Sequence, residues 1–150
     1  MKTLKMDLGI QEFQIGDGGV LRFNPSDPNL YSRFLGATDR IGEIDKEFAE
    51  KIAKVEGDGA GGLRLLREYD MKAKAILSEI FGPENDFDRI LLGANVLSVG
   101  ANGKRLIENL FDALLPVFEE GAGKCARAKA QKALEQAKIN RAQRRTAERK

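Results

Sequence analysis

The residue types that most often carry out catalysis are scarce in this 150-residue chain. It contains no histidine, which removes the commonest general base, the usual metal ligand and every catalytic triad built on imidazole. Its single cysteine, Cys125, cannot form an internal disulfide or a multi-thiolate zinc site, and it lacks a histidine partner that would activate it. We therefore expect an inert thiol, no bound cofactor and no enzymatic activity.

Acidic residues are numerous, but few of them are spaced as metal ligands. Asp86 with Asp88, and Glu119 with Glu120, supply two carboxylates each without supporting ligands, which makes them weak candidates for binding a divalent cation. Most carboxylates on the predicted helices lie three or four residues from a lysine or arginine, as is typical of solvated helix faces. The sequence therefore predicts no metal site.

Two glycine-containing segments match nucleotide-binding motifs only in part. Residues 57–62 have the GxGxxG spacing, but the dinucleotide-binding motif requires a preceding strand within a βαβ unit, and here a helix is predicted to precede it. Residues 123–125 lack the earlier glycine and the serine or threonine of a phosphate-binding loop. We interpret residues 57–62 as a flexible loop between helices.

Charge is distributed unevenly along the chain. Residues 1–123, the body, carry a net charge of −6, whereas residues 124–150, the basic tail, carry +8. The tail has few large aliphatic residues to bury, so we expect either a fraying helix or a disordered segment unless it docks on a partner. It has no aromatic residue to stack on bases, which weakens a nucleic-acid hypothesis. The residues that would contact phosphates or an acidic partner are Arg141, Arg144, Arg145 and Arg149.

The elements that position these residues begin with a predicted β-hairpin. Apolar residues alternate across residues 4–10 and, after a change of phase, at Phe13 and Ile15, which indicates a strand with a bulge. Residues 16–19 suit a tight turn, and residues 20–23 would return antiparallel. The chain shows neither a secretory signal nor an apolar run of membrane-spanning length, so we expect a cytosolic protein without a membrane partner.

Amphipathic periodicity predicts four helices after the hairpin. They cover residues 30–55, 63–81, 87–97 and 106–118. Ser26 or Asp27 would cap the first helix, Gly36 and Gly42 would bend or break it near residue 38, and the second helix would return antiparallel to it. Residues 121–123 are expected to separate the last helix from the tail. The chain is thus predicted to be mainly α-helical with an N-terminal β-hairpin.

The segment from Phe23 to Phe34, which follows the hairpin and leads into the long charged helix, resembles the tail assembly chaperones of long-tailed bacteriophages. The helix that ends at residues 80–82 and the apolar helix around Leu110 and Phe111 are similar to the middle and closing elements of that family. The resemblance covers residues 1–120 and leaves the basic tail outside.

This resemblance implies a non-enzymatic protein that binds the tape measure protein, keeps it soluble and assists assembly of the tail tube. It further implies several copies or a homo-oligomer on the client, residence in the host cytoplasm and absence from the mature virion. The family commonly makes a longer product by ribosomal frameshifting, and the extension recruits the major tail protein. The residues expected to contact the partner are Phe23, Asn24, Pro25, Asp27, Leu30, Phe34, Leu110, Phe111 and Leu114.

Three alternatives remain open from the sequence. The apolar stripes on the helices could be buried in the chain's own core instead of binding a client. The basic tail could make the protein a small nucleic-acid-binding protein. The chain could also be a structural component of the tail or connector, which would stay in the finished particle.

Overall fold

The computed structural model describes the backbone of residues 1–148 and, within that range, the side chains of residues 1–124, 135, 139 and 141–146. In this part of the chain, two antiparallel strands are followed by four helices, which confirms the prediction of a mainly α-helical chain with an N-terminal β-hairpin. In chain order, the elements are β1 (Gln11–Gln14), β2 (Val20–Phe23), α1 (Pro28–Lys54), α2 (Gly59–Phe81), α3 (Phe87–Ile90) and α4 (Leu106–Glu148).

The hairpin turns tightly and packs one face against the helices. Gly16 lies in the turn with a positive φ of 55°, and the Ile15 N–H donates to the Gly19 carbonyl at 3.0 Å. Phe13 on β1 stacks on Phe23 on β2, with ring centroids 5.0 Å apart. The predicted turn and the antiparallel return strand are therefore confirmed.

The chain before β1 does not form the long strand that its alternation predicts. β1 starts at Gln11, and within residues 1–148 no strand pairs with residues 1–10, which we call the N-terminal segment. Gly9 has a positive φ of 71°, and its N–H donates to Asp7 Oδ1 at 2.8 Å. The change of phase in the sequence therefore marks a local turn rather than a bulge within one strand.

α1 is one continuous helix of 27 residues. Asp27 is its N-cap, because Asp27 Oδ1 accepts a hydrogen bond from the Asn29 N–H at 2.9 Å, and Pro28 occupies the first turn. The predicted break near residue 38 is wrong, although Gly36 and Gly42 both lie within the helix. Packing against α2 before and after these glycines outweighs their low helix propensity.

α2 returns antiparallel to α1, as predicted. Arg33 near the start of α1 donates to the Ile80 carbonyl near the end of α2 at 2.8 Å. Phe48, late in α1, contacts Tyr69, in the middle of α2, with ring centroids 5.4 Å apart. The helix ends at Phe81, where the predicted helix over residues 63–81 also ends, and Gly82 is its C-cap with a positive φ of 109°.

The glycine-rich residues 57–62 are mostly helical rather than a loop. Asp58 is the N-cap of α2 and accepts from the Gly61 N–H at 3.1 Å, so the helix already begins at Gly59. Within this run, Gly57 has a positive φ of 86° and separates α1 from α2. The prediction of a flexible loop is therefore wrong for the glycines that follow the capping aspartate.

The helix predicted over residues 87–97 ends after about one turn, at Ile90. Its end has the hydrogen bonds of a Schellman motif, in which the N–H groups of Leu92 and Gly93 donate back to carbonyls of α3 at 3.1 and 2.7 Å. Leu92 adopts a left-handed φ of 56°, a conformation that glycine usually supplies. Apolar periodicity predicts a longer helix because it cannot detect this cap without its usual glycine.

α4 runs through the predicted boundary between body and tail. The break expected at residues 121–123 does not occur, and the helix also continues through Pro116. Gly121 is buried against the chain that leads into α1, where a Cβ would meet the Pro25 carbonyl and, at 2.7 Å, the Tyr31 hydroxyl. Gly121, interpreted from the sequence as a helix breaker, instead permits close packing of α4.

Aromatic rings join the hairpin to the helices around Phe118 of α4. The Phe118 ring has four aromatic neighbours at centroid distances between 5.2 and 6.2 Å: Phe23, Tyr31, Phe34 and Phe81. At the start of the same helix, Arg105 makes a bidentate ion pair with Asp45 of α1, with both N–O distances at 3.0 Å. Hydrogen bonding to Asp45 raises the pKa of Arg105 above its ordinary value. These contacts fix the first part of α4 against α1 and the hairpin.

Candidate functional site

A groove runs between the first half of α1 and the end of α2. It consists of a cavity of about 530 Å³ that adjoins a second cavity of about 290 Å³, since Arg33 and Glu79 line both. We name it the α1–α2 groove, and its apolar lining comprises Leu8, Ile10, Phe23, Leu30, Gly36, Ala37, Ile80, Phe81, Gly82 and Pro83. Four residues predicted to contact a partner line it: Phe23, Asn24, Asp27 and Leu30.

The turn between β2 and α1 fixes one wall of this groove. Asn24 Oδ1 accepts from the Ser26 N–H at 2.9 Å, and the Asn24 carbonyl accepts from the Asp27 N–H at 3.2 Å. Asn24 Nδ2 donates to the Leu8 carbonyl at 3.1 Å. The Asn24 side chain thus binds both the turn before α1 and the N-terminal segment. The N-terminal segment is therefore attached to the groove at Leu8.

Charged side chains form the rim of the groove. Arg40 of α1 makes an ion pair with Glu79 of α2, and both side chains are about half exposed. Such an exposed pair adds little to stability. The rim therefore presents charges of both signs beside an apolar lining.

Most of the predicted partner-binding residues lie in the chain's own core. Five of them are buried: Phe23, Pro25, Leu30, Leu110 and Leu114. The other four are half-buried: Asn24, Asp27, Phe34 and Phe111. Phe34 of α1 packs on Phe111 and Phe118 of α4, with ring centroids 5.7 and 5.2 Å apart. The apolar face over residues 106–118, which includes three of the predicted partner contacts, is thus covered by α1 and the hairpin.

The N-terminal segment exposes a series of apolar side chains. Their exposed fractions decrease along the segment from 90% at Leu4 through 79% at Met6 and 59% at Leu8 to 46% at Ile10. Adjacent exposed apolar side chains on a folded protein often mark an interaction site. A sequence signal for this exposure exists, because the return strand at residues 20–23 is too short to pair with such a long alternating segment.

A separate cavity of about 630 Å³ lies beside an ion network in which Lys74 and Asp70 are buried and Asp88 is exposed. Lys74 of α2 donates to Asp70 Oδ2 at 2.9 Å, to Asp88 Oδ1 at 2.7 Å and to the Ala94 carbonyl at 2.8 Å. Asp70 Oδ1 accepts from the Val96 N–H at 2.8 Å. Because the lysine ammonium has three N–H groups and all are used, the network positions the chain after α3 and leaves Lys74 no donor for a ligand.

Protonation in this network follows from its contacts. Burial acts to lower the pKa of Lys74, but hydrogen bonds to Asp88 and Asp70 outweigh it, so the pKa of Lys74 lies above its ordinary value. The hydrogen bond from Lys74 holds the pKa of Asp88 below its ordinary value. Our assignment of helix carboxylates to solvated faces is wrong for Asp70. Its position on the apolar face of the second helix was the available signal.

The carboxylate pairs considered as metal candidates have other contacts. Asp86 caps α3 by accepting from the Asp88 N–H at 3.0 Å, while the Asp88 side chain binds Lys74. Glu119 and Glu120 are both exposed. Among the side chains that the structure describes, no group of three or more histidine, cysteine, aspartate or glutamate residues is placed to hold a metal ion.

In the basic tail, the structure shows exposed arginines on a helix. Arg141, Arg144 and Arg145 are exposed, and their spacing of three and four residues places them on one side of α4. Arg149 lies outside the described residues, and so does the side chain of Cys125.

Comparison of the chain with protein-family models, curated proteins and solved structures finds no match. Within the part of the chain that the structure describes, none of the helices combines the length and apolar character needed to span a bilayer. The surfaces from which a function can be inferred are therefore the α1–α2 groove, the N-terminal segment and the basic tail.

Proposed function

We propose that the protein is a non-enzymatic tail assembly chaperone of a long-tailed bacteriophage. In this role it binds the tape measure protein in the host cytoplasm, acts in several copies and is absent from the mature virion; a longer product would recruit the major tail protein. The observation that carries the proposal is the resemblance of the segment from Phe23 to Phe34 to that family. The position of this segment at the junction of a β-hairpin and a long helix supports it.

The α1–α2 groove gives the proposal a physical basis. A largely helical client that aggregates on its own can place the apolar side of a helix in an apolar groove. Leu8 and Ile10, which line the groove and are 59% and 46% exposed, offer such a surface, whereas Leu30 and Ile80 form its buried floor. The rim charges of Arg40 and Glu79 allow polar contacts at its edge. Because residues of the resembling segment line this groove, we assign it to the client.

Co-expression with the tape measure protein of the same phage tests this function. The tagged full-length chain is purified after nuclease treatment, and the soluble and co-purified fractions of the client are measured with and without it. We expect the chain to raise the soluble fraction and to retain the client. An insoluble, unretained client would contradict the proposal, and presence of the chain in purified virions would favour a structural tail or connector component.

Exposed arginines of the tail favour nucleic-acid binding as a second candidate function. The full-length variant R141Q/R144Q/R145Q separates the two, because it removes three cations without changing the groove. A nucleic-acid-binding protein would lose affinity and have a shallower dependence of affinity on salt in this variant. A chaperone that uses the groove would keep its capture of the client.

A further inference from the structure

The N-terminal segment has the features of a strand without a partner. Its apolar residues alternate with polar ones, all four apolar side chains from Leu4 to Ile10 are substantially exposed, and no strand within residues 1–148 pairs with it. Its far end is held in place, because Asn24 binds the Leu8 carbonyl. The segment is thus attached to the fold at one end and unpaired along its length.

The sequence of this segment is complementary to itself in the antiparallel direction. When two copies pair around Met6, Met6 faces Met6, Leu4 faces Leu8, and Lys5 faces Asp7. One face then joins apolar side chains from both copies, and the opposite face carries two cross-strand pairs of opposite charge, which stabilise antiparallel strands. Neither Lys5 nor Asp7 takes part in an ion pair among the described residues, and Asp7 uses one carboxylate oxygen to accept the Gly9 N–H, which leaves its other oxygen for a partner strand.

Neighbouring registers are all worse. A shift by two residues brings Lys5 opposite Lys5 or Asp7 opposite Asp7, and directly opposed like charges destabilise a strand pair. A shift by one residue places apolar side chains opposite polar ones on both faces. The charges and the apolar alternation therefore select the same register, with a twofold axis at Met6.

We propose that the N-terminal segment is a homodimerisation strand that pairs antiparallel with the same segment of a second copy around Met6. The interaction is isologous, since each copy uses the same surface. A pair of such short strands belongs to the small, transient class of interfaces, so the dimer forms in a concentration-dependent equilibrium. This inference does not depend on the proposed chaperone function.

Charge exchange tests the register. K5D places two aspartates opposite each other at both pairs, and D7K does the same with lysines, so each variant alone should dimerise roughly tenfold or more weakly than the wild type. A mixture of the two variants restores opposite charges and should form a heterodimer. Sedimentation velocity over a range of concentrations measures these species. Undiminished dimerisation of both variants, or a wild type that stays monomeric up to millimolar concentration, would overturn the proposal.

Disulfide trapping tests the position of the axis without altering the charges. In a C125S background, M6C brings two thiols to directly opposed positions with Cβ atoms about 5 Å apart, close to the distance that a disulfide needs. The matched control T3C has its thiols six residues out of register, roughly 20 Å apart. We expect M6C to form a covalent dimer under mild oxidation at least several times faster than T3C. Equal rates for both would overturn the proposal.

Discussion

Lys74 shows how one residue organises an irregular part of the fold. It lies in α2 with its side chain almost fully buried, and it contacts two carboxylates and a backbone carbonyl. A buried ammonium group is tolerated only when its donors are satisfied in this way. The chain after α3 is thereby positioned by Lys74, and by Asp70 through its bond to the Val96 N–H, although it contains no regular secondary structure of its own beyond an isolated bridge.

The ion pair of Asp88 with Lys74 predicts a loss of stability in acid. The pKa of Asp88 is lowered in the folded state, so the ionised carboxylate stabilises the fold above the unfolded pKa, and this contribution is lost as the pH falls through the folded pKa. In D88N the amide at position 88 cannot titrate. Its free energy of unfolding should therefore decrease less than that of the wild type as the pH is lowered below about 5, where carboxylates begin to protonate.

Urea unfolding of both proteins at a series of pH values measures this difference. The two curves should approach each other as the pH falls, because the wild type loses a contact that the variant already lacks. Curves that stay parallel would show that the contact between Asp88 and Lys74 does not contribute to stability. For Lys74 the pH dependence has the opposite direction, because its pKa is raised in the folded state. The contribution of its charged form to stability is complete below the ordinary lysine pKa and is lost as the pH rises above that value.

At the scale of elements, the position of α4 depends on a glycine. Gly121 lets α4 approach the Pro25 carbonyl and the Tyr31 hydroxyl, and a methyl group would require α4 or both of these groups to move. We expect G121A to lower the free energy of unfolding by about 1–3 kcal/mol, because overpacking of a well-packed contact has that cost. Urea unfolding monitored by circular dichroism measures the change.

A matched glycine of α1 provides the control. Apart from the adjacent residues and the backbone of its own helix, no atom lies within 4 Å of a Cβ built at Gly36. G36A should therefore raise the free energy of unfolding by about 0.5–1 kcal/mol, since alanine is the better helix former. We expect the free energy of unfolding to fall in G121A and to rise in G36A. A stabilising G121A would contradict the described packing of α4.

The sequence is sufficient for the elements whose signals are local. The hairpin turn, the cap at Asp27 and the stop at Gly82 follow from residue types that favour one backbone conformation. The sequence is insufficient where tertiary contacts determine the backbone conformation or the end of a helix. Leu92 adopts a left-handed conformation that its residue type does not predict. Gly121 was predicted to break the helix, but it lies within α4 and allows close packing there.

For the whole molecule, four of the residues predicted from the sequence to contact a partner line the α1–α2 groove, but sequence patterns do not show which side chains face outward. Phe23 and Leu30 were predicted as contacts, and they line the α1–α2 groove although they are largely buried. The opposite wall, including Ile80 and Glu79, comes from α2, more than forty residues away in the chain. Periodicity shows that a face is apolar, whereas only the packing of helices shows how much of that face is covered.

If the protein is a chaperone, the α1–α2 groove binds the tape measure protein, and two open glycines of α1 test this assignment most directly. Gly36 lines the groove and Gly42 does not, yet a Cβ at either position meets no neighbouring atom within 4 Å. G36R therefore fills the groove, and G42R is a control with the same charge and the same gain in helix propensity.

The decisive measurement is the dissociation constant of the tape measure protein for the wild type and for both variants, after circular dichroism has shown that each is folded. We expect G36R to bind at least about tenfold more weakly, which corresponds to roughly 1.4 kcal/mol, and G42R to bind like the wild type. Equal affinity of all three proteins for the client would contradict the assignment of the groove, and no measurable affinity in the wild type would contradict the proposed function.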